Sequence, residues 1–525
     1  MTNPKARPCE EAAIRAVPAA GADKRQKTWI LAVSVLTSTM AITDESVVNV
    51  ALPNIQLDLG TTLPAMQWVV NAYILSLSAL LLIGGAAADR FGRRRMFLVG
   101  IGIFAAASLG CGLAPTVGIL TASRVIQGVG AALLIPCSLA IIGAAFDEKE
   151  RGAAIGIWSG ASAIAAGIAP LVGGGLVDHS SWRAIFLINP LLALFGIWIA
   201  VRHVPESRDP EAPASLDWRG ALLVLAGLGS LVYGLIAAST LGWRDSTVIG
   251  SVLAGVALLA GFVMAEKRSS APMMPLGLFR SHTFSGVNLL TLLLYGALGG
   301  AFFFLPFLLI QVHGYSATAT GAIFLPFTLI LGVMSKWSGR LVDRVGARRP
   351  LIVGPAIAGL GFAFLAWVSS DGRYWTLLLP MIVMGLGMTI TVAPLTTTVV
   401  NAVPARQTGL ASGINNAVAS VASLLAIAAL GTIALGTLNR TLDRQLAGMQ
   451  ASPEVTLAVD QARGGFVTPP IPESLSRDDR ELARSTITRS FAETIRLVLL
   501  IAAALALLGS LSAAVTIERA ERNPT

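Results

Sequence analysis

Charge is what this chain has least of. Only 13% of its 525 residues are Asp, Glu, Lys or Arg, where a soluble chain carries roughly 25%, and the shortfall excludes an ordinary water-soluble domain. Cysteine and histidine are scarce too. Cys9, Cys111 and Cys137 are odd in number and scattered, and His179, His203, His282 and His313 are equally dispersed, so neither a disulfide framework nor a metal-ligand spacing emerges. The phosphate-cradling run GxxxxGKS/T is missing, which removes P-loop nucleotide hydrolysis as an energy source. No motif calls for a cofactor. A paired polar catalytic set and a soluble signalling domain are both lacking, which argues against a membrane-embedded enzyme or sensor.

What the chain does have is apolar length. Hydrophobic residues make up 54% of it, and runs of about 20 apolar residues recur, the signature of a polytopic helical membrane protein. Six runs begin near Trp29, Gln67, Met96, Gly118, Ala153 and Ala184, and the sixth ends near His203. A polar, Pro-rich stretch from Pro205 to Asp217 follows, then two more runs, Arg219 to Thr240 and Thr247 to Ala265. After a loop around Lys267 to His282, six further runs begin near Phe284, Ala317, Pro350, Tyr374, Gln407 and Phe491. The expectation is an all-α protein of about fourteen transmembrane helices. Residues 1–28 read as a disordered tail and 29–203 as a six-helix bundle. Residues 204–282 are a linker with two extra helices, 283–517 a second six-helix bundle, and 518–525 a short tail. Within the second bundle, 439–490 is too polar to span and is expected to be an extracytoplasmic loop with some amphipathic helix and little core of its own.

One turn occurs twice. Gly85 to Arg95 reads GAAADRFGRRR and Gly339 to Arg349 reads GRLVDRVGARR, so Gly85, Asp89, Arg90 and Gly92 recur as Gly339, Asp343, Arg344 and Gly346. Such a repeat points to duplicated halves. The copies follow the second and tenth spans, eight apart instead of six, which is explained if one helix pair is inserted between two six-helix bundles. The net charge of +9 does not indicate nucleic acid, because the positive residues sit in short turns. Lys24, Arg93, Arg94, Arg95, Lys149, Lys267, Arg348 and Arg406 all fall on one side of a fourteen-span chain. That side is expected to be the cytoplasm, with both termini in it. Asp89 ends a helix, where the macrodipole disfavours an anion. It calls for compensation by an arginine or by the positive N-terminus of a helix from the other half, and such a contact would act as a cytoplasmic gate that includes Arg93.

Carboxylates inside hydrocarbon are costly and mark functional paths. Asp44 and Glu45 lie in the first span, in ITDESVVNVALP, about six residues from its expected outer end near Val50. Arg124 and, one turn on, Gln127 lie at similar depth in the fourth span, in LTASRVIQGVGAA. Burial and a nearby guanidinium pull a carboxylate's proton affinity in opposite directions, the balance a reversible proton carrier needs. Adjacent helical residues point about 100° apart, so Asp44 and Glu45 face differently. The fifth span, GIWSGASAIAAGIAPLVGGGL, carries Gly156, Pro170, Gly173 and Gly174 among many small residues, a composition that allows close packing and a kink. Trp68, Tyr73, Gln311, Asn415 and Asn416 either line a cavity or join helices.

Taken together, the chain resembles the major facilitator superfamily, and within it the fourteen-span drug:proton antiporter branch. TDESVVNVALP matches the branch's first-span motif with Asp44 as its acid, the Gly85 to Arg95 turn matches the superfamily's loop motif, and RVIQGVGAA matches the fourth-span motif with Arg124 as its arginine. SWRAIFLINP, FLPFLLIQVHGYSATATGAIFLP and GLASGINNA follow in the expected order. The fifth-span motif departs from pattern, with Ala165 and Ala169 where glycines are expected. The resemblance implies alternating-access export of small lipophilic or cationic compounds, such as drugs, antiseptics or metabolites, from the bacterial cytoplasm in exchange for protons. On it Asp44 binds the proton or cation, Arg124 tunes it, and the Pro170 region limits leak. The implied partners are the bilayer, protons and a small-molecule substrate, and the branch leaves room for a periplasmic adaptor. Proton-coupled uptake is the competing transport reading.

Overall fold

The computed structural model describes residues 23–209, 216–269, 272–368, 373–404, 407–448, 452–467 and 474–517, and these form helices and connections without a strand. The side chains at positions 148, 335–336, 339–340 and 342–344 lie outside that description, so the gate positions Gly339, Asp343 and Arg344 do too, as does all of Arg406. Among the described residues, fourteen helices are long and apolar enough to cross a membrane. The first six are α1 (Lys24–Asp58), α2 (Leu63–Phe91), α3 (Arg93–Gly112), α4 (Val117–Ala145), α5 (Glu148–His179) and α6 (Ala184–His203). The inserted pair is α7 (Trp218–Leu241) and α8 (Ser246–Arg268). The rest are α9 (His282–Phe307), α10 (broken at Phe324 into Ala317–Ile323 and Leu325–Val345), α11 (Arg348–Val368), α12 (Tyr374–Asn401), α13 (Thr408–Ala447) and α14 (Arg477–Thr516).

Two boundaries differ from the sequence expectation. Helix α1 begins at Lys24, inside the stretch expected to be tail, because Asp23 caps it by accepting from the Lys24 amide at 2.6 Å. Lys27 then ties its first turn to Asp147 and Glu150 at 3.1 and 2.7 Å. The helix also continues past Val50 through Pro53 to Asp58. A proline removes one backbone hydrogen bond, but Val50, Ala51, Leu52 and Ile55 are buried there, and packing carries the helix through. Asp44 thus lies fourteen residues, or about 21 Å, from the end of α1.

Helices α1–α6 pack into one bundle and α9–α14 into another, meeting along two seams. On one, α5 lies against both segments of α10; on the other, α2 lies against α13. Helix α1 is enclosed, touching α4, α5 and α6 on its own side and α9 and α10 across the interface. The α7–α8 hairpin sits outside the α2–α13 seam. Tyr233 of α7 lies 6.5 Å, ring to ring, from Trp68 of α2, and the Thr432 hydroxyl of α13 donates to the Leu235 carbonyl of α7. One end of the molecule, the basic rim, carries Arg90, Arg93, Arg94, Arg95 and Lys149.

The opposite rim carries the connection between α13 and α14. Both helices are 40 residues long, about 60 Å, roughly twice the hydrocarbon thickness. Much of the stretch expected as loop, 439–490, is therefore helix continuous with the two spans. Between them lie a short helix, Pro453–Asp460, and Phe466, which is fully buried with its ring 5.6 Å from Phe304 and 5.2 Å from Phe491. The segment's few apolar residues are spent docking it onto the ends of the spans.

Candidate functional site

Five helices of the first bundle converge on one carboxylate. Asp44 of α1 is buried, and its Oδ2 accepts from Nη1 of Arg124 on α4. Its Oδ1 accepts from Nε2 of Gln127 at 2.9 Å and from Nδ2 of Asn189, on α6, at 3.4 Å. Ser108 Oγ, on α3, accepts from the same two amides at 2.9 Å each. Arg124 is held in turn: Nε donates to the Val69 carbonyl of α2 at 3.1 Å, Nη1 to Gln127 Oε1 at 2.7 Å, and the guanidinium lies 4.3 Å from the centre of the Tyr73 ring. Tyr73 donates to the Ala41 carbonyl at 2.8 Å, closing the ring of contacts on α1. The local sequence explains the convergence. Residues 124 and 127 share a helix face, and at Gly128 a Cβ would lie 2.6 Å from the Tyr73 carbonyl, so only glycine lets α2 come this close. A buried ion pair persists when its remaining lone pairs are hydrogen-bonded, and Gln127 and Asn189 supply those bonds. Glu45 accepts no hydrogen bond and forms no ion pair among the described residues, and it is only partly buried. Helix α1, on which it sits, touches both bundles.

The repeated turn is occupied differently from expectation. Asp89 accepts from Arg93 Nε and Nη2 at 3.0 and 2.8 Å, within its own turn. Gly92, at φ +110°, turns the chain between α2 and α3 in one residue. Beyond it Glu206 accepts from the amides of Arg94 and Arg95 at 3.1 Å each. The Asp209 amide donates to the Asp89 carbonyl at 3.0 Å, and Arg93, itself buried, donates its amide to the Ser207 carbonyl at 2.9 Å. Among the described residues, the partners of this turn belong to its own bundle and linker, not to a helix of the other half. Gly85 lies in ordinary contact with Pro136, 3.6 Å from a Cβ built there, and Arg90 is exposed over the Phe91 ring at 5.3 Å. Gly346, the counterpart of Gly92, has φ +74°.

Helix α5 shows which end of the molecule is open. Gly156, Ser159, Ala163, Gly167, Pro170 and Gly174 form one stripe at helical spacing. The first three, towards the basic rim, are exposed, and the last three are buried. A Cβ at Gly156 would meet nothing within 4 Å, whereas one at Gly174 would collide with the Ala317 carbonyl of α10 and one at Gly321 of α10 with the Pro170 carbonyl of α5. Gly173 lies against Val47 of α1, 2.6 Å from a Cβ built there. The second seam is closed by Gln67 of α2, whose Nε2 donates to the Ile427 carbonyl of α13 at 2.5 Å. The space between the bundles thus opens to the basic rim and is shut at the opposite one.

A model of the Major Facilitator Superfamily matches residues 34–427, well over half of the chain. The chain belongs to this superfamily. Among its relatives, the multidrug resistance protein Stp of Mycobacterium tuberculosis is 34% identical over 477 residues, covering 89% of this chain and 87% of the relative. A tetracenomycin C resistance and export protein of Streptomyces glaucescens is 34% identical, covering 81% of this chain and 79% of the relative. A puromycin resistance protein of Streptomyces alboniger is 37% identical, with 79% and 83% covered. Among solved structures, a bacterial homologue of the human lysosomal transporter Spinster aligns with TM-score 0.65 at 18% identity, over 93% of this chain and 98% of that one. The xylose transporter XylE of E. coli aligns at 0.57 and 14% identity, over 95% and 98%. These likenesses show the fold.

In this major facilitator transporter, most of the residues that the sequence left open between cavity lining and helix joint serve as joints. Trp68 faces the inserted hairpin, Tyr73 props Arg124, and Asn415 donates from Nδ2 to Asn288 Oδ1 at 3.1 Å and Thr291 Oγ1 at 2.8 Å, tying α13 to α9. Gln311 sits in the π turn Leu308–Val312 that ends the ninth span, far from mid-membrane, and Asn416 is exposed. Sequence reasoning missed Asn189, which bonds Asp44 itself, and Ser108, which bonds the two amides that hold it. The asparagine in the apolar run AIFLINP was the available signal.

Proposed function

We propose that this transporter exports small lipophilic or cationic compounds in exchange for protons, in a bacterial cytoplasmic membrane with the basic rim and both termini in the cytoplasm. Relatives named for drug resistance and antibiotic export support the direction of transport. The excess of Lys and Arg in the short turns of one rim supports the orientation. The observation that carries the coupling is the buried Asp44–Arg124–Gln127 cluster. Arginine keeps its charge at any working pH, so the charge that can change in this cluster is the one on Asp44. With Asp44 ionised, Arg124 and Gln127 are locked to it as observed. With a proton on a carboxyl oxygen, the ion pair is lost, and Arg124 is left to the Val69 carbonyl, Gln127 Oε1 and the Tyr73 ring. That difference gives the first bundle two arrangements that a proton can select, as coupling requires. In this reading Glu45, without a hydrogen-bond partner among the described residues and on a helix that both bundles touch, meets a substrate's positive charge.

The test is efflux of a fluorescent substrate in inside-out vesicles, driven by an imposed pH gradient, with and without a protonophore. Asp44→Asn should reduce gradient-driven transport to the level of empty membranes while accumulating normally. Undiminished, protonophore-insensitive transport by the variant would overturn the coupling.

A further inference from the structure

We infer that Asp178 is a positioning residue for transport, a latch that holds the extracytoplasmic rim shut by binding the opposite bundle and must release it each time that rim opens. The inference rests on the alternating-access reading above. Asp178 lies in the last turn of α5, and both of its carboxylate oxygens accept hydrogen bonds from α10. Oδ1 accepts from the Ala317 amide at 3.0 Å, and Oδ2 from the Thr318 amide at 2.7 Å and the Thr318 hydroxyl at 2.6 Å. An anion at the C-terminal end of a helix is disfavoured by that helix's own dipole, so these contacts are what makes the site favourable for it.

Its position separates it from the other carboxylates of this rim. Asp58 pairs with Arg183 at 2.6 Å inside the first bundle, and Asp443 and Asp460 pair with Arg463 at 2.6 and 2.7 Å inside the second. Those pairs ride with their bundles as the halves rock. The three bonds of Asp178 all cross the seam, so one movement breaks them together. Directly beneath lies the close approach of Gly174 to Ala317 and Gly321 to Pro170, which fixes the two backbones at the spacing the carboxylate bridges. Asp178 is exposed, so water can replace its partners when the rim parts, and the latch can be remade. Among the described residues, the repeated turn at the basic rim has no such cross-bundle bond: Asp89 is satisfied by Arg93 of its own turn. The device sought at Asp89 is thus found at the other end of the molecule.

Distances between spin labels at the exposed positions Ser180 and Arg373, with Cys9, Cys111 and Cys137 replaced, read the latch directly. The wild-type chain should show a dominant short population. Asp178→Asn places an NH2 where an oxygen now accepts, opposing donor to donor, and should raise the ratio of long to short distances at least about tenfold. Thr318→Val, which keeps both backbone bonds, should raise it less, and Asp178→Glu should return it towards wild type. In vesicles Asp178→Asn should raise the KM for substrate on the cytoplasmic side with little loss of kcat, a split that mere loss of folding does not give. A ratio within twofold of wild type in Asp178→Asn overturns the inference. If that variant fails to accumulate, an unchanged distribution in Thr318→Val overturns it instead. The distances need neither substrate nor gradient, so they answer separately from the Asp44→Asn experiment.

Discussion

Two neighbouring carboxylates, Asp44 and Glu45, have opposite circumstances. Asp44 is bound by an arginine and two amides, and a substrate cation would have to displace all three to reach it. Glu45 has no such partners among the described residues. An ionised carboxylate in a low-dielectric space attracts a cation far more strongly than in water, so the proposed function assigns charge selection to Glu45 and the proton to Asp44. Glu45→Gln should weaken binding of a lipophilic cation to the purified protein at least tenfold, or about 1.4 kcal/mol, and leave a neutral congener of similar size within about twofold. Fluorescence titration with the two congeners measures it. Equal losses for both compounds, or no loss for either, would remove Glu45 from substrate recognition.

Among the elements, α5 and α10 govern access because their backbones touch. At Gly321 even one methyl group would fall on the Pro170 carbonyl, and backbone, unlike a long side chain, cannot step aside. Gly321→Ala should therefore part the seam at the opposite rim. Ala169 is 5% exposed in the closed seam, so Ala169→Cys should resist a membrane-impermeant maleimide added from that side. The same cysteine should react, with slowed efflux, once Gly321→Ala is added. A cysteine equally protected in both backgrounds would mean that closure does not depend on this approach. The sequence already showed the small residues of α5, but not what they meet: pairing of Gly174 with Ala317 and of Gly321 with Pro170 joins residues far apart in the chain, and no local pattern encodes it. The same limit applies to Asp44. Its motif and its arginine were legible because a charge in an apolar run stands out. Ser108 was not, because a hydroxyl in a membrane helix usually bonds its own backbone. For Trp68 and Asn415 two readings stayed open, cavity lining or helix joint, because a polar or aromatic side chain in a span reads the same whether it faces a cavity or another helix.

For the whole molecule, the displaced repeat in the sequence already contained the architecture, two bundles and an inserted pair, since the eight-span offset leaves an even number of helices to place. The structure adds where the pair goes: outside the α2–α13 seam, with α8 touching chiefly α7 and the smallest buried share of any span. Orientation rests on charge alone. The short turns of the basic rim carry Arg93, Arg94, Arg95, Lys267 and Arg268, whereas of the short turns of the opposite rim those between α1 and α2 and between α3 and α4 carry no Lys or Arg and those after α5, α7 and α11 carry one each, Arg183, Arg244 and Arg373. The long α13–α14 connection does hold arginines, Arg463 and Arg477 among them, but long segments translocate largely regardless of charge. A reporter that is active only outside the cytoplasm should therefore work when inserted near Glu454, and one that folds only in the cytoplasm should work when fused after Thr525. Insertion near Glu454 falls on an exposed helix start, so the fold tolerates it better than a cut within a span. The reverse pattern of activities would place the basic rim outside. It would also turn the closed Asp178 seam towards the cytoplasm.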